Sequence, residues 1–368
     1  MLSPGLIKGV SQSTKSGQLL SLKNKDMKKN HFIGIDVSKD TLDAAMHSLE
    51  SAVKFEEKRF ENNVSGYQAM LSWIKKKKHS LDECVFCMEH TGVYSLNPAV
   101  YLCEQELFVS VVPALEIKRS IGVTRGKNDK VDARRIAEFA MDKKEKLSPF
   151  QVPGKILLQI KQLLTYRDQL RKECSSFKTS IKSHERYQLN TGMDYVTTEL
   201  KEMIEQLGKR ISDVDKKIEQ LIEKDESLKS NSNLIQSVNG IGPVISAFLL
   251  VTTANFSSFD DGRKYACYAG VAPFEHSSGI SIKGKTAVSH LANKRMKTLL
   301  YNAANTAAIY DPELKKYYHR KKSEGKDHKL IMNAICCKLI YRVFAVVKRQ
   351  SAFVTLYKEN FKNDLHRS

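Results

Sequence analysis

The chain has 368 residues, with 60 Lys and Arg against 41 Asp and Glu, a formal net charge of +19. That length allows two or three domains with real cores, and that charge favours a polyanionic partner, nucleic acid before an anionic membrane surface. No apolar run comes near the ~18–20 residues that a membrane helix needs; Val244 to Val251 is the strongest and is far too short. Seven cysteines, an odd number, lie scattered through the chain and point to a reducing compartment rather than a disulfide framework.

Residues 1–29 are rich in Ser and Lys, lack the apolar centre of a signal peptide, and read as a disordered basic lead-in. The first ordered stretch is a short apolar strand, Phe32 to Val37, that carries Asp36. Asp packs poorly in strands, and a buried carboxylate without compensation costs several kcal/mol, on the order of 2–7. Asp36 therefore either opens the turn after the strand or receives a cation. Thr41–His47 and Val53–Phe60 read as two further strands joined by short polar turns, which makes an antiparallel meander. Asn63 or Ser65 then caps a helix carrying Tyr67, Met70, Leu71 and Ile74, which ends in Lys75–Lys78.

A strand Cys84–Met88, a helix around Leu96–Glu104 and a strand Leu107–Val112 follow, an alternation that adds parallel strands. Cys84 and Cys87 have metal-ligand spacing, but no second pair completes four ligands, so buried thiols are expected. Three antiparallel strands followed by β-α-β-α is the order of the ribonuclease H-like fold. Glu89 falls where the fourth strand runs out into a loop, the usual place for ligands in open α/β sheets. After the basic loop Thr124–Asn128 comes a helix, Asp129 to Ala140, with Asp129 and Asp132 on one face. Acids also suit a helix N-terminus for its dipole, and Asp129 fits that description better than Asp132. If Asp36, Glu89, Asp129 and Asp132 converge, four hard oxygen donors suit Mg²⁺, and Lys127, Arg134 and Arg135 could meet phosphates.

Pro149 and Pro153-Gly154 mark a linker, after which the pattern changes to long helices. Ile160, Leu163, Arg167, Leu170, Cys174, Phe177, Ile181 and His184 repeat at heptad spacing, as do Leu200, Ile204, Leu207, Ile211, Val214, Ile218 and Leu221. This is the signature of coiled-coil packing, with a reversal at Gly192 and with Arg167, Cys174 and His184 weakening the first seam. The pairing could lie within one chain or between two. Leu234 to Leu250, with Gly240 and Gly242, reads as a helix-hairpin-helix that offers backbone amides to DNA phosphate, or as a plain helical turn.

Between Arg263 and Lys329 there are 14 Lys and Arg against 5 Asp and Glu. Ser277 and Ser278, before Gly279, lie in that field in what reads as a polar loop, with Lys283 and Lys285 just beyond. A serine hydroxyl needs a base, a metal or a positive field to become a nucleophile. Lys294, Arg295, Arg320, Lys321 and Lys322 continue the basic tract as phosphate contacts, and Tyr317 and Tyr318 either stack on unpaired bases or pack the helix. Residues 331–347 read as a helix and 351–368 as a tail.

The segments Gly34-Ile-Asp36-Val-Ser-Lys-Asp40, Met88-Glu89-His-Thr-Gly-Val-Tyr94, Lys127-Asn-Asp129-Lys-Val-Asp132-Ala133, Gly240-Ile-Gly-Pro243, Tyr268-Ala-Gly-Val-Ala-Pro273 and His276-Ser-Ser278-Gly279 occur in an informative order. Together they resemble the serine-dependent DEDD transposases of bacterial insertion sequences, the group that includes the pilin-gene invertases and the bridge-RNA-guided recombinases. The resemblance implies an α/β plus all-α architecture: a RuvC-like domain over 30–150, a coiled-coil linker over 151–230 and a mainly helical transposase domain over 231–350. It aligns Asp36, Glu89, Asp129 and Asp132 with an acidic quartet that binds Mg²⁺ (or Mn²⁺), and Ser278, with Ser277 as the neighbouring candidate, with a nucleophile that links covalently to DNA. It also implies a cytoplasmic, nucleoid-associated enzyme acting on element ends and target DNA. A guide RNA encoded by the element and a homodimer that assembles to a tetramer are implied with it. In this chain Ile280 follows the Ser-Gly where many such proteins carry a second glycine. A metal-only RuvC-like nuclease and a non-catalytic nucleic-acid scaffold are the competing readings.

Overall fold

The computed structural model describes residues 29–49, 55–90, 93–121, 129–187, 194–259, 261–278, 282–288 and 292–355. The chain divides into two compact units between Val152 and Pro153. The first 28 residues, Lys127, Gly192 and the tail beyond 355, all assigned roles from the sequence, lie outside the described residues.

The first unit is built on a five-stranded sheet in the order β3-β2-β1-β4-β5. Its strands are β1 (His31–Val37), β2 (Thr41–Ser48), β3 (Glu56–Glu61), β4 (Cys84–Glu89) and β5 (Phe108–Val112). The tight turn after β1, closed by Ser38 N–H on the Thr41 carbonyl at 2.9 Å, forces β1 and β2 antiparallel, and β3 continues the meander. β4 and β5 add in parallel beside β1. Alternation along each strand splits the core into two layers. Ile33, Ile35, Leu42, Ala44, Phe86 and Met88 pack against α1 (Val64–Lys76) and α2 (Val93–Glu104). Phe32, Val85, Cys87, Phe108 and Val112 pack against α3 (Ala114–Ile121) and α4 (Asp129–Asp142). Asn63 caps α1, its side chain accepting from Gly66 N–H at 2.9 Å.

Cys84 and Cys87 are three residues apart on one strand, so their side chains fall in opposite layers, and both are buried. Burial pushes each thiol up to about 12. Two sulfurs on opposite sides of a sheet cannot share one metal ion.

In the second unit α5 (Lys155–Tyr187) and α6 (Asp194–Glu223) pack along one another. Ile160, Leu164 and Leu170 meet Leu207, Val214 and Ile218 in one core. Arg167, which interrupts the apolar repeat, is satisfied across the seam by Asp215, Nε donating at 2.5 Å. His184 is exposed, so the first seam closes at Ile181. After α7 (Glu226–Gln236), α8 (Pro243–Thr252) and α9 (Gly262–Tyr268) come two strands, β6 (Pro273–Ser278) and β7 (Ile282–Val288). α10 (Lys294–Tyr310), α11 (Pro312–Ser323) and α12 (His328–Arg349) complete the unit.

Two expectations need correction. Ser277 and Ser278 sit not in a loop but on β6, paired antiparallel with Lys283 and Ile282 of β7. The second concerns apolar runs: α12 is long and apolar enough to cross a membrane. Here it is a core helix, with Ile331, Met332, Ile335, Leu339, Ile340 and Val343 all buried in the second unit.

Candidate functional site

The acidic residues of the first unit are arranged by strand register. Asp36 has the same parity as Phe32, and Glu89 the same as Val85 and Cys87, so both project on the face covered by α4. β1 and β4 pair in parallel up to Ile35 opposite Met88, and Asp36 and Glu89 are the next residue on each. They therefore stand side by side at the carboxyl ends of adjacent parallel strands, where open α/β sheets place their ligands. The His90 amide continues the ladder to the Val112 carbonyl at 2.9 Å, holding the end of β4 in line.

Gly34 fixes the helix above this point. A Cβ there would stand 2.2 Å from the Ala133 carbonyl oxygen and 2.3 Å from the Ala137 amide nitrogen, so α4 rests directly on the bare backbone of β1. The helix runs opposite to the strand. Lys29, just before β1, donates from Nζ to the Lys144 carbonyl, just beyond the end of α4, at 3.2 Å. The start of α4, with Asp129 and Asp132, thus lies toward the Asp36 end. Asp132 is half-buried, and Arg135 Nη1 donates to its Oδ1 at 2.9 Å. The Asp129 side chain lies outside the described residues, and among the described residues no three acidic, His or Cys side chains are grouped closely enough to hold a metal. The donor set is nevertheless of the right chemistry, since carboxylate oxygens on three elements are what Mg²⁺ takes.

Sequence reading missed a member of this row. Asp43 of β2 is directly opposite Asp36, and Arg59 of β3 is directly opposite Asp43. Asp43 is 5% exposed and held by Arg59, with Nε donating at 2.9 and 3.1 Å to the two carboxylate oxygens. The signal was present: counting back from the short turn through Val37 and Leu42 pairs Asp36 with Asp43.

The predicted phosphate-binding cations divide into engaged and exposed ones. Arg134 is paired with Glu57 of β3, and Arg135 with Asp132. Arg295 is paired with Asp168 of α5 and lies over the Phe248 ring, so its first role is to tie α10 to its neighbours. Lys321 pairs with Glu324 at 2.6 Å. Lys294, Arg320 and Lys322 are exposed, although Arg320 lies over the Tyr317 ring and also pairs with Glu324 at 4.0 Å. Tyr317 and Tyr318 are partly buried against the core, and the Tyr318 hydroxyl meets His328 Nδ1 at 3.0 Å. These tyrosines pack the helix.

In the turn between α7 and α8, Gly240 has φ +94° and stands against α10: a Cβ would meet the Ala303 carbonyl oxygen at 2.6 Å. Gly242 caps α8 with no side chain and faces open space. Ser277, Ser278, Lys283 and Lys285 are placed by backbone on β6 and β7.

Two family models of transposases match this chain, one described as "Transposase" (DEDD, IS110 type) over residues 33–184, the other as "Transposase IS116/IS110/IS902 family" over residues 232–319. The chain is similar to the pilin gene-inverting protein of Moraxella bovis, 28% identical over 326 residues, which is 88% of this chain and 97% of that protein. The counterpart in Moraxella lacunata matches over the same span at 28%. It is also similar to an uncharacterized 43.6 kDa protein of the insertion element IS110 in Streptomyces coelicolor, 32% identical over 117 residues, 32% of this chain and 29% of that one. The class is that of transposases and recombinases, enzymes that rearrange DNA. Within that class the chain belongs to the IS110/IS116/IS902 family.

Proposed function

We propose that this transposase mobilises an insertion sequence by cutting and rejoining DNA through a covalent phosphoserine intermediate, with a divalent cation held by Asp36, Glu89, Asp129 and Asp132. The observation that carries the reading is the adjacency of Asp36 and Glu89 on one face, at the ends of parallel strands, beneath a helix that starts at that same end of the sheet. The sheet order supports a RuvC-like assignment for this unit. A bound Mg²⁺ or Mn²⁺ would supply charge stabilisation at the scissile phosphate. The chain's own residues do the rest. Ser278, or its neighbour Ser277, attacks phosphorus, one P–O bond forming as another breaks, and the serine proton passes to the released strand hydroxyl. Because the phosphodiester energy is retained in the serine ester, the strand can be rejoined to a new partner without an outside energy source. Gly240 and Gly242 bring the α7–α8 turn to DNA phosphate as a helix-hairpin-helix, and the exposed cations of α11 follow the backbone. Guidance by an element-encoded RNA and action as a dimer that assembles to a tetramer complete the reading.

The test is a denaturing gel of protein with element-end DNA, Mg²⁺ and any RNA transcribed beside the gene. A covalent protein–DNA species is expected, absent in Ser278→Ala and weakened at least about a hundredfold in Asp36→Asn. Cleaved DNA with no adduct would instead mean that water attacks and that the enzyme is a metal-only nuclease.

A further inference from the structure

The row that crosses the sheet holds one carboxylate too many. Asp36 and Asp43 are directly opposed on antiparallel strands and share a face, the arrangement in which like charges destabilise a sheet most. Both could reach a cation attracted to Asp36 and Glu89. A cavity of about 230 Å³ borders Asp43, lined by Glu57, Lys58, Arg59 and Ala133, so close packing alone does not pin its carboxylate. What stops it is Arg59, next in the row, whose guanidinium takes both carboxylate oxygens and adds Nη2 to Oδ2 at 2.9 Å. Planar, two-pronged pairing of this kind fixes direction as well as charge.

We propose that Arg59 is a positioning residue that withholds Asp43 from the cation, leaving the site to Asp36, Glu89 and the acids of α4. The proposal rests on the reading of the acidic row given above. Removing Arg59 takes away a positive charge and releases a carboxylate, so cation binding tightens while the ion is drawn out of place. Strand cleavage then falls although the metal binds better. A residue that merely stabilised the sheet would move both quantities down or neither, and its loss would not be repaired by deleting its partner.

The experiment is Mn²⁺ titration of the full chain followed by electron paramagnetic resonance, alongside cleavage of element-end DNA at saturating Mn²⁺. Arg59→Gln is expected to lower the Mn²⁺ midpoint about tenfold and to lower cleavage by about as much, the size typical of residues that orient metal ligands. The double variant Arg59→Gln with Asp43→Asn is expected to return both toward wild type. A folded Arg59→Gln protein with an unchanged midpoint, or a double variant that restores neither quantity, overturns the proposal. Should Arg59→Gln fail to fold, Arg59→Lys keeps the charge and loses the fork; a lowered midpoint supports the proposal and an unchanged one overturns it. Asp36→Asn separates the two levels. If it abolishes Mn²⁺ binding while Arg59→Gln changes nothing, only the role of Arg59 falls. If it leaves Mn²⁺ binding intact, the acidic site itself is elsewhere and both readings fall.

Discussion

At the scale of single residues, Gly34 matters most for where the acids stand. With a methyl group there, the Ala133 carbonyl and Ala137 amide would have to retreat, lifting α4 off β1. Gly34→Ala should cost about 3 kcal/mol in a denaturant melt and, on the function proposed above, weaken cation binding along with it. Asp311 is a second buried carboxylate, wholly shielded and with a different purpose. It caps α11 through the Leu314 amide at 2.9 Å, and it is paired with Arg342 at 2.9 Å and Asn239 at 3.2 Å. Every bond it makes is internal to the second unit, and none opens toward a ligand. Arg342→Ala strands that charge and should destabilise the protein by about 3–5 kcal/mol by chemical denaturation. The thiols of Cys84 and Cys87, both pushed up to about 12, should resist iodoacetamide at pH 8 in the native protein and react once it is unfolded.

At the scale of elements, the first unit was largely legible because its signals are local. Short turns dictated the antiparallel meander, and the period of two placed Asp36 and Glu89 on one face once the strands were aligned. The Arg59 partner of Asp43 was hidden because it depends on the register of a third strand. The β6–β7 hairpin was hidden for another reason: Ser-Ser-Gly has turn composition, and only cross-strand pairing outvotes it. The turn between α7 and α8 separates two roles that its glycines share in sequence. Gly240 is bound to its conformation and to the wall of α10, so Gly240→Ala should lower the melting temperature sharply. Gly242 has open space and ordinary dihedrals, so Gly242→Ala should leave stability unchanged. A drop in affinity for DNA in that variant, read by fluorescence anisotropy, would show that the backbone there approaches phosphate.

At the scale of the molecule, each unit keeps its own interior. The two layers of the sheet draw on residues before 151, and the helical core draws on residues from 156 onward. Separate cores imply separate stability, and a fragment of residues 29–152 should melt cooperatively on its own by circular dichroism. The strong positive charge belongs to the whole chain and was plain from composition, but what it does was not. Several of the cations expected to meet phosphate hold carboxylates of the same unit instead, as Arg134, Arg295 and Lys321 do. Sequence shows that a charge is present; which partner consumes it is a question of distance.

The placement of α12 has a consequence for synthesis. Domains generally fold as units while the chain is being made, beginning from the N-terminal side. The strands of the sheet and the helices on its two faces are all available once residue 152 has emerged, so the acidic row can form while translation continues. The helical unit has no such head start, because Ile335, Leu339, Ile340 and Val343 at its centre are among its last residues to leave the ribosome. Until they arrive, the helical core lacks the helix that the rest of it packs against. A half-made chain would thus hold a finished sheet while its helical core is still incomplete, so the two units would reach their folded states in the order in which they are made.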